Sequence, residues 1–198
     1  MKKILLCLLI FAPACCFGQF KIAVKAGLNF ANITDKAGIN ANSRTGYMIG
    51  GYISSKPKFF GFRSEIMLSR QGYDYSSNTN TGKVNLDYLL LPQLITLNFT
   101  KKVQLHAGLQ AAFLLNAKVD SSGNANGSLF DYFNRFDYGV VAGGEISPIG
   151  GLFIGARLNV SLNNVNKEEA PPGGSWPNYL PRLNVKNNVA QVYVGWRL

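Results

Sequence analysis

Val103-Gln104-Leu105-His106-Ala107-Gly108-Leu109-Gln110-Ala111-Ala112-Phe113-Leu114-Leu115-Asn116 is the stretch on which the fold turns. Val103, Leu105, Ala107, Leu109, Ala111, Phe113 and Leu115 fall on one side of a period-two pattern, with Gln104, His106, Gly108, Gln110 and Asn116 on the other. Successive strand side chains point to opposite faces, so this segment predicts a strand with one apolar surface. It is long enough to cross a bilayer as a tilted strand, which takes about 9–11 residues.

The same pattern recurs to either side. Upstream, Ile22, Val24, Ala26, Leu28 and Phe30 oppose Lys21, Ala23, Lys25, Gly27 and Asn29. Tyr47, Ile49, Gly51 and Ile53 alternate with Gly46, Met48, Gly50 and Tyr52, and Phe60, Phe62, Ile66 and Leu68 oppose Gly61, Arg63, Glu65, Met67 and Ser69. A fourth segment, Val84 to Leu97, sets Leu86, Tyr88, Leu90 and Leu94 against Asn85, Asp87 and Gln93. Its Pro92 cannot donate to a ladder and predicts a bulge or a strand end. Downstream, Tyr138, Val140, Ala142 and Ile146 oppose Asp137, Gly139, Gly143 and Glu145. Leu152, Ile154, Ala156, Leu158 and Val160 oppose Gly155, Arg157, Asn159 and Ser161. Ala190, Val192, Val194, Trp196 and Leu198 oppose Gln191, Tyr193, Gly195 and Arg197.

That makes eight predicted strands. The connections Ser55 to Lys58, Phe99 to Lys102 and Pro148 to Gly151 are short, whereas Gly72 to Lys83, Lys118 to Arg135 and Asn163 to Lys186 are long and polar. Short turns on one side and long loops on the other predict an all-β, eight-stranded antiparallel up-and-down transmembrane barrel. Alternation alone also fits a soluble barrel with its apolar face inward. Two features favour an apolar exterior: the polar faces mix Lys25, Arg63, Glu65, Glu145, Arg157 and Arg197 with glycine, and aromatics such as Phe20, Phe30, Tyr47, Phe59, Phe60, Tyr138 and Trp196 gather near strand ends. After the first residues, nothing approaches the 18 continuous apolar residues of a membrane helix.

The N-terminus reads as an export signal. Lys2 and Lys3 precede the apolar run Ile4 to Ala12, then Pro13 and Phe17-Gly18-Gln19. Cleavage is expected after Gly18, making 1–18 a signal peptide and 19–198 one barrel domain. Cys7, Cys15 and Cys16 all lie in the signal, so the mature chain is held together without disulfides. A lipoprotein acylated at Cys15 or Cys16 is the competing reading, disfavoured by Ala12-Pro13-Ala14 before it. Removing Lys2 and Lys3 leaves 18 of 20 basic residues against 10 acidic, a net charge of +8. The bases are scattered, with no run longer than Lys101-Lys102, which fits a rim meeting anionic lipid headgroups better than a nucleic-acid surface.

Several segments, in order along the mature chain, resemble the PorT-type outer-membrane β-barrel family of Bacteroidetes. They are Val24-Lys25-Ala26-Gly27-Leu28-Asn29-Phe30-Ala31-Asn32-Ile33, Glu65-Ile66-Met67-Leu68-Ser69-Arg70-Gln71-Gly72 and Leu86-Asp87-Tyr88-Leu89-Leu90-Leu91-Pro92, then Ala107-Gly108-Leu109-Gln110, Phe113-Leu114-Leu115 and Gly195-Trp196-Arg197-Leu198. The resemblance implies a barrel in the outer membrane of a Gram-negative bacterium with a periplasmic N-terminus. It implies no shared activity, although the founding member takes part in protein secretion. Where many barrels end in an aromatic residue, this chain ends in Leu198 with Trp196 two before it.

No constellation points to catalysis, a metal or a cofactor. His106 is the single histidine, and the mature chain has no cysteine to join it in a metal site. A bilayer-embedded hydrolase pairing His106 with a carboxylate and a serine is the enzymatic alternative. Lys25, Arg63, Glu65, His106, Glu145, Arg157 and Arg197 are instead expected to form a structural polar cluster in the lumen, which eight strands leave just wide enough for side chains to fill. Trp176 and Tyr179, in the proline-rich segment after Asn163, are candidate contacts for a partner. The expected function is a monomeric, non-enzymatic barrel in outer-membrane lipid with a structural, adhesion or secretion-associated role among envelope or secretion-system proteins. A small-solute pore and a soluble periplasmic barrel holding an apolar ligand are the alternatives.

Overall fold

The computed structural model describes residues 20–34, 40–55, 59–76, 81–121, 127–128, 132–164, 167 and 186–198. The expected signal segment, Trp176 and Tyr179 lie outside these residues. The described residues form nine strands: β1 (Phe20–Thr34), β2 (Asn40–Ser55), β3 (Phe60–Ser76), β4 (Thr81–Asn98), β5 (Val103–Ser121), β6 (Gly127–Ser128), β7 (Phe136–Ile146), β8 (Leu152–Asn164) and β9 (Lys186–Arg197). All but the two-residue β6 are barrel staves. Each stave pairs antiparallel with its neighbours in the chain, and β9 pairs with β1, so the sheet closes. Closure gives every stave a hydrogen-bonded partner on both sides, which a strand needs to cross hydrocarbon.

The registers also define the stagger. Following cross-strand partners from Lys21 through Ser54, Arg63, Leu94, Gly108, Val141, Asn159 and Val189 returns to β1 at Ala31, ten residues further along. That stagger tilts the staves and, with eight of them, leaves a lumen of side-chain width.

Outside, the barrel is apolar: Ile22, Val24, Leu28, Ile49, Ile66, Leu109, Ile154, Leu158, Val192 and Val194 are all exposed. Aromatics border this band at both ends. Phe59, Phe60 and Phe99 pack edge to face at the short-turn end, and Phe113, Phe136 and Tyr138 form a contiguous set towards the other. Lys25, Asn29, Arg63, Glu65, His106, Glu145 and Arg157 are buried. The inverted arrangement, with lipid outside and charge inside, is therefore the one present. Both terminal staves begin or end at the short-turn side, which is the periplasmic side of such a barrel.

Three expectations need correction. In the fourth segment, Leu86, Tyr88, Leu90 and Leu94 face inward, while Gln93 and Ile95 are exposed. This stave carries leucine on both faces, so its period-two signal was ambiguous, and the register decides it. Leu94 lies opposite Gly108 and Leu90 opposite Ala112, so inward bulk meets small inward partners. Secondly, Pro92 neither ends the strand nor makes a bulge. The β3–β4 pairing lapses between Ser64↔Gln93 and Met67↔Leu90 and resumes in the same register, as expected where one N–H is missing. The register shift lies between Asp87 and Tyr88, on the β5 side. Thirdly, much of the supposed loop Gly72 to Lys83 is strand, since β3 runs to Ser76 and β4 starts at Thr81. Above the bilayer the outer face meets water, so the apolar alternation fades while the hairpin ladder continues.

Candidate functional site

Charged side chains from five staves, with His106 from a sixth, meet inside the periplasmic half of the barrel. Glu65 on β3 accepts from Lys25 Nζ on β1 at 2.9 Å and from Arg157 Nη1 on β8 at 2.6 Å. Glu145 on β7 accepts from both terminal nitrogens of Arg63, at 2.6 and 2.9 Å, a bidentate pair. Arg197 on β9 donates to the same carboxylate from Nη2 at 3.0 Å. Arg63 Nη1 stands 3.5 Å from Glu65 Oε1 and joins the two halves. On β5, His106 Nε2 lies 3.5 Å from the Tyr193 hydroxyl, which donates to Glu145 at 3.1 Å. All seven residues read from the polar faces thus sit in one connected network. The other ring nitrogen of His106, Nδ1, is buried without a hydrogen-bond partner among the described residues.

Aromatic rings line the cluster, a feature missed in the strand pattern. The Arg63 guanidinium lies 4.1 Å from the Tyr52 ring centroid, Lys25 Nζ is 4.4 Å from that of Tyr193, and Arg197 is 4.8 Å from that of Phe153. Cations over ring faces are attracted by the ring quadrupole, and more strongly when desolvated. The available signal was glycine. Gly155 is the cross-strand partner of Tyr193, and Gly195 that of Phe153. A Cβ at either glycine would strike the opposing ring. Large rings therefore fit because the neighbouring stave contributes no side chain.

A closed antiparallel barrel with lipid-facing leucines, aromatic borders and a paired-charge lumen is the architecture of outer-membrane proteins. The sequence model of the outer membrane protein beta-barrel domain matches residues 13–167. The chain belongs to this family. Among solved structures it is similar to Ail, the attachment invasion locus protein of Yersinia pestis, at 14% identity and a TM-score of 0.53, over 91% of this chain and 99% of that one. It is similar also to Neisserial surface protein A, at 14% identity and a TM-score of 0.54, over 89% and 97%. At such identities the likeness is one of fold. None of the curated proteins compared with the chain matches it. Family and fold place the protein in the outer membrane of a Gram-negative bacterium.

The family match spans every cluster residue except Arg197. Above the cluster the lumen divides. Along β9, β1 and β3, a ladder of neutral groups climbs away from Arg157: Arg157 Nε donates to Gln191 at 2.5 Å, Gln191 to Asn29 at 2.6 Å and Asn29 to Ser69 at 2.8 Å. Gln71 donates to Ser69, and Asn187 to Gln71. Across from it, Tyr73, Val84, Leu86, Tyr88, Leu90, Ala112, Leu114 and Ala117 form an apolar layer. Phe133, wholly buried, packs into that layer from the segment preceding β7, where Leu114 N–H donates to the Arg135 carbonyl at 2.8 Å. Between ladder and layer is a cavity of about 20 Å³ lined by Gln110, Asp137 and Asn159, each with a buried polar atom lacking a protein partner. A polar void of that size accommodates one bridging water.

Proposed function

We propose that the protein is a monomeric, non-enzymatic outer-membrane barrel of the PorT type, from a member of the Bacteroidetes, that works through its outer surface rather than through a conducting lumen. It is exported by a signal cleaved after Gly18. The observation that carries this reading is the filled interior: the Arg63–Glu145 and Lys25–Glu65–Arg157 pairs span the lumen, and the Phe133 layer lies above them. Removing either member of such a pair strands a buried charge, so a solute path through the cluster is costly. Liposome swelling tests it. Vesicles carrying the protein should take up arabinose no faster than empty ones, and size-dependent entry would instead make it a pore.

An adhesive or secretion-associated role for the outer ends is supported by their build. β2 to β5 continue past the upper aromatic border as a paired sheet, with Asn40 opposite Ser76 and Gly82 opposite Ser121. Lys83, Lys118, Arg135 and Lys186 are exposed at that end. Ail has been solved in complex with the heparin analogue sucrose octasulfate. A basic rim on this chain fits the same class of polyanion. Cells displaying the protein should adhere to heparin-coated surfaces above a non-displaying control, and Lys83→Glu with Lys118→Glu should abolish the difference. Equal adhesion by all three would turn the search to envelope and secretion-system proteins as partners.

A further inference from the structure

The periplasmic mouth holds a second feature, separate from the outer rim and independent of the surface role proposed above. Inside the short turns lies an open cavity of about 360 Å³, within the usual size range of small-molecule sites. Lys21, Lys101, Lys102, Arg197 and Arg63 all line it, together with hydroxyls and amides including Ser147, Thr96 and Gln104. Among the described residues, no Asp or Glu side chain does. Behind its floor, four cations (Lys25, Arg63, Arg157 and Arg197) share two carboxylates, Glu65 and Glu145. By formal count the network holds more cations than carboxylates, and two of those cations, Arg63 and Arg197, are the ones that also line this cavity. Arg63 is 1% exposed, and its Nε has no acceptor among the described residues, although both terminal nitrogens are paired.

A cleft lined by one sign of charge and walled by low-dielectric protein concentrates counter-ions. Guanidinium groups match the oxygen geometry of phosphate, and Arg63 keeps one N–H without an acceptor among the described residues. We propose that this vestibule is an anion site that takes a phosphate-bearing periplasmic solute, held by the turn lysines Lys101 and Lys102 at the lip and by Arg197 and Arg63 at the floor. Bound there, the anion neutralises the charge excess of the plug from the periplasmic side.

The probe is inorganic pyrophosphate, titrated calorimetrically into the full barrel folded in a zwitterionic detergent. Saturable binding that weakens with salt is expected, with affinity reduced about tenfold or more by Lys101→Ala with Lys102→Ala. Both substitutions fall on an exposed turn, and the boiled-versus-unboiled gel shift verifies that the barrel still closes. Lys83→Ala with Lys118→Ala, at the opposite end, should leave the affinity unchanged. Absence of saturable binding to the unaltered barrel, or equal losses in the two double variants, would overturn the proposal. Repeating the titration in phosphatidylcholine nanodiscs with and without phosphatidylglycerol separates the phosphate sources. Unchanged affinity supports a soluble ligand. Loss of binding only with phosphatidylglycerol would overturn the soluble source and assign the site to a lipid headgroup.

Discussion

Glu145 accepts from Arg63, Arg197 and Tyr193 at once, so one substitution there tests several contacts of the plug. Glu145→Gln keeps the shape but leaves two arginines short of their counter-charge. The expected loss is about 3–5 kcal/mol, the cost of breaking a buried pair by removing one partner. Reversible urea unfolding in lipid vesicles, followed by the fluorescence of lipid-facing Trp196, measures it. A loss below 1 kcal/mol would show that the cluster does not rely on that charge. Gly155 makes a different case, because its backbone is unstrained and only space is at issue. A methyl there overlaps the Tyr193 ring, so Gly155→Ala should cost about 1–3 kcal/mol in the same assay. Gly150 is the converse: open space surrounds it, but its φ of 40° is one that L side chains rarely adopt. Gly150→Ala should therefore cost about 1 kcal/mol, from backbone strain alone.

The staves differ in how plainly their faces could be read. β5 and β8 alternate clearly, and their apolar faces point outward as the pattern predicts. β4 defeats the pattern because it is apolar on both sides, inward into the Leu86–Leu90 layer and outward into lipid. Truncation separates the two sides. Leu90→Ala opens a cavity in packed protein and should cost about 2–5 kcal/mol. Ile95→Ala faces lipid, which refills the space, and should cost clearly less in the same unfolding experiment. The reverse ranking would restore the inverted assignment of this stave. On β8, Leu158 is 61% exposed within the apolar band. Leu158→Arg is expected to cost about 2–4 kcal/mol in vesicles, as charge does near a bilayer midplane. At the outer end, Arg70 and Asp87 are direct cross-strand partners joined at 2.7 Å, yet both are partly exposed. Deleting that pair should change stability by less than about 1 kcal/mol.

At the scale of the whole barrel, closure of β1 on β9 unites staves from opposite ends of the chain. No local preference makes that contact. It forms because an even number of antiparallel staves presents complementary edges, and an open edge in hydrocarbon leaves backbone groups unpaired. The folded protein should therefore resist dodecyl sulfate without heating and migrate differently once boiled. A single mobility under both conditions would contradict a closed barrel. The filled lumen and the extended outer sheet are consequences of the same closure, since stave number and stagger set the interior width.

The sequence by itself determined the strand class, the number of staves, which end carries the short turns, and the polar character of the residues that became the lumen. It could do so because lipid imposes a period of two on every stave within the bilayer. Tertiary structure decided what that period does not encode. It turned the doubly apolar β4 inward, carried β3 and β4 beyond the supposed loop, and set Tyr52, Tyr193 and Phe153 over the cations. It also chose which carboxylate serves which cation. Those outcomes depend on register across the closed sheet, where Lys25 meets Glu65 and Arg63 meets Glu145 from staves far apart in the chain, and register is a property of the assembled barrel rather than of any one segment.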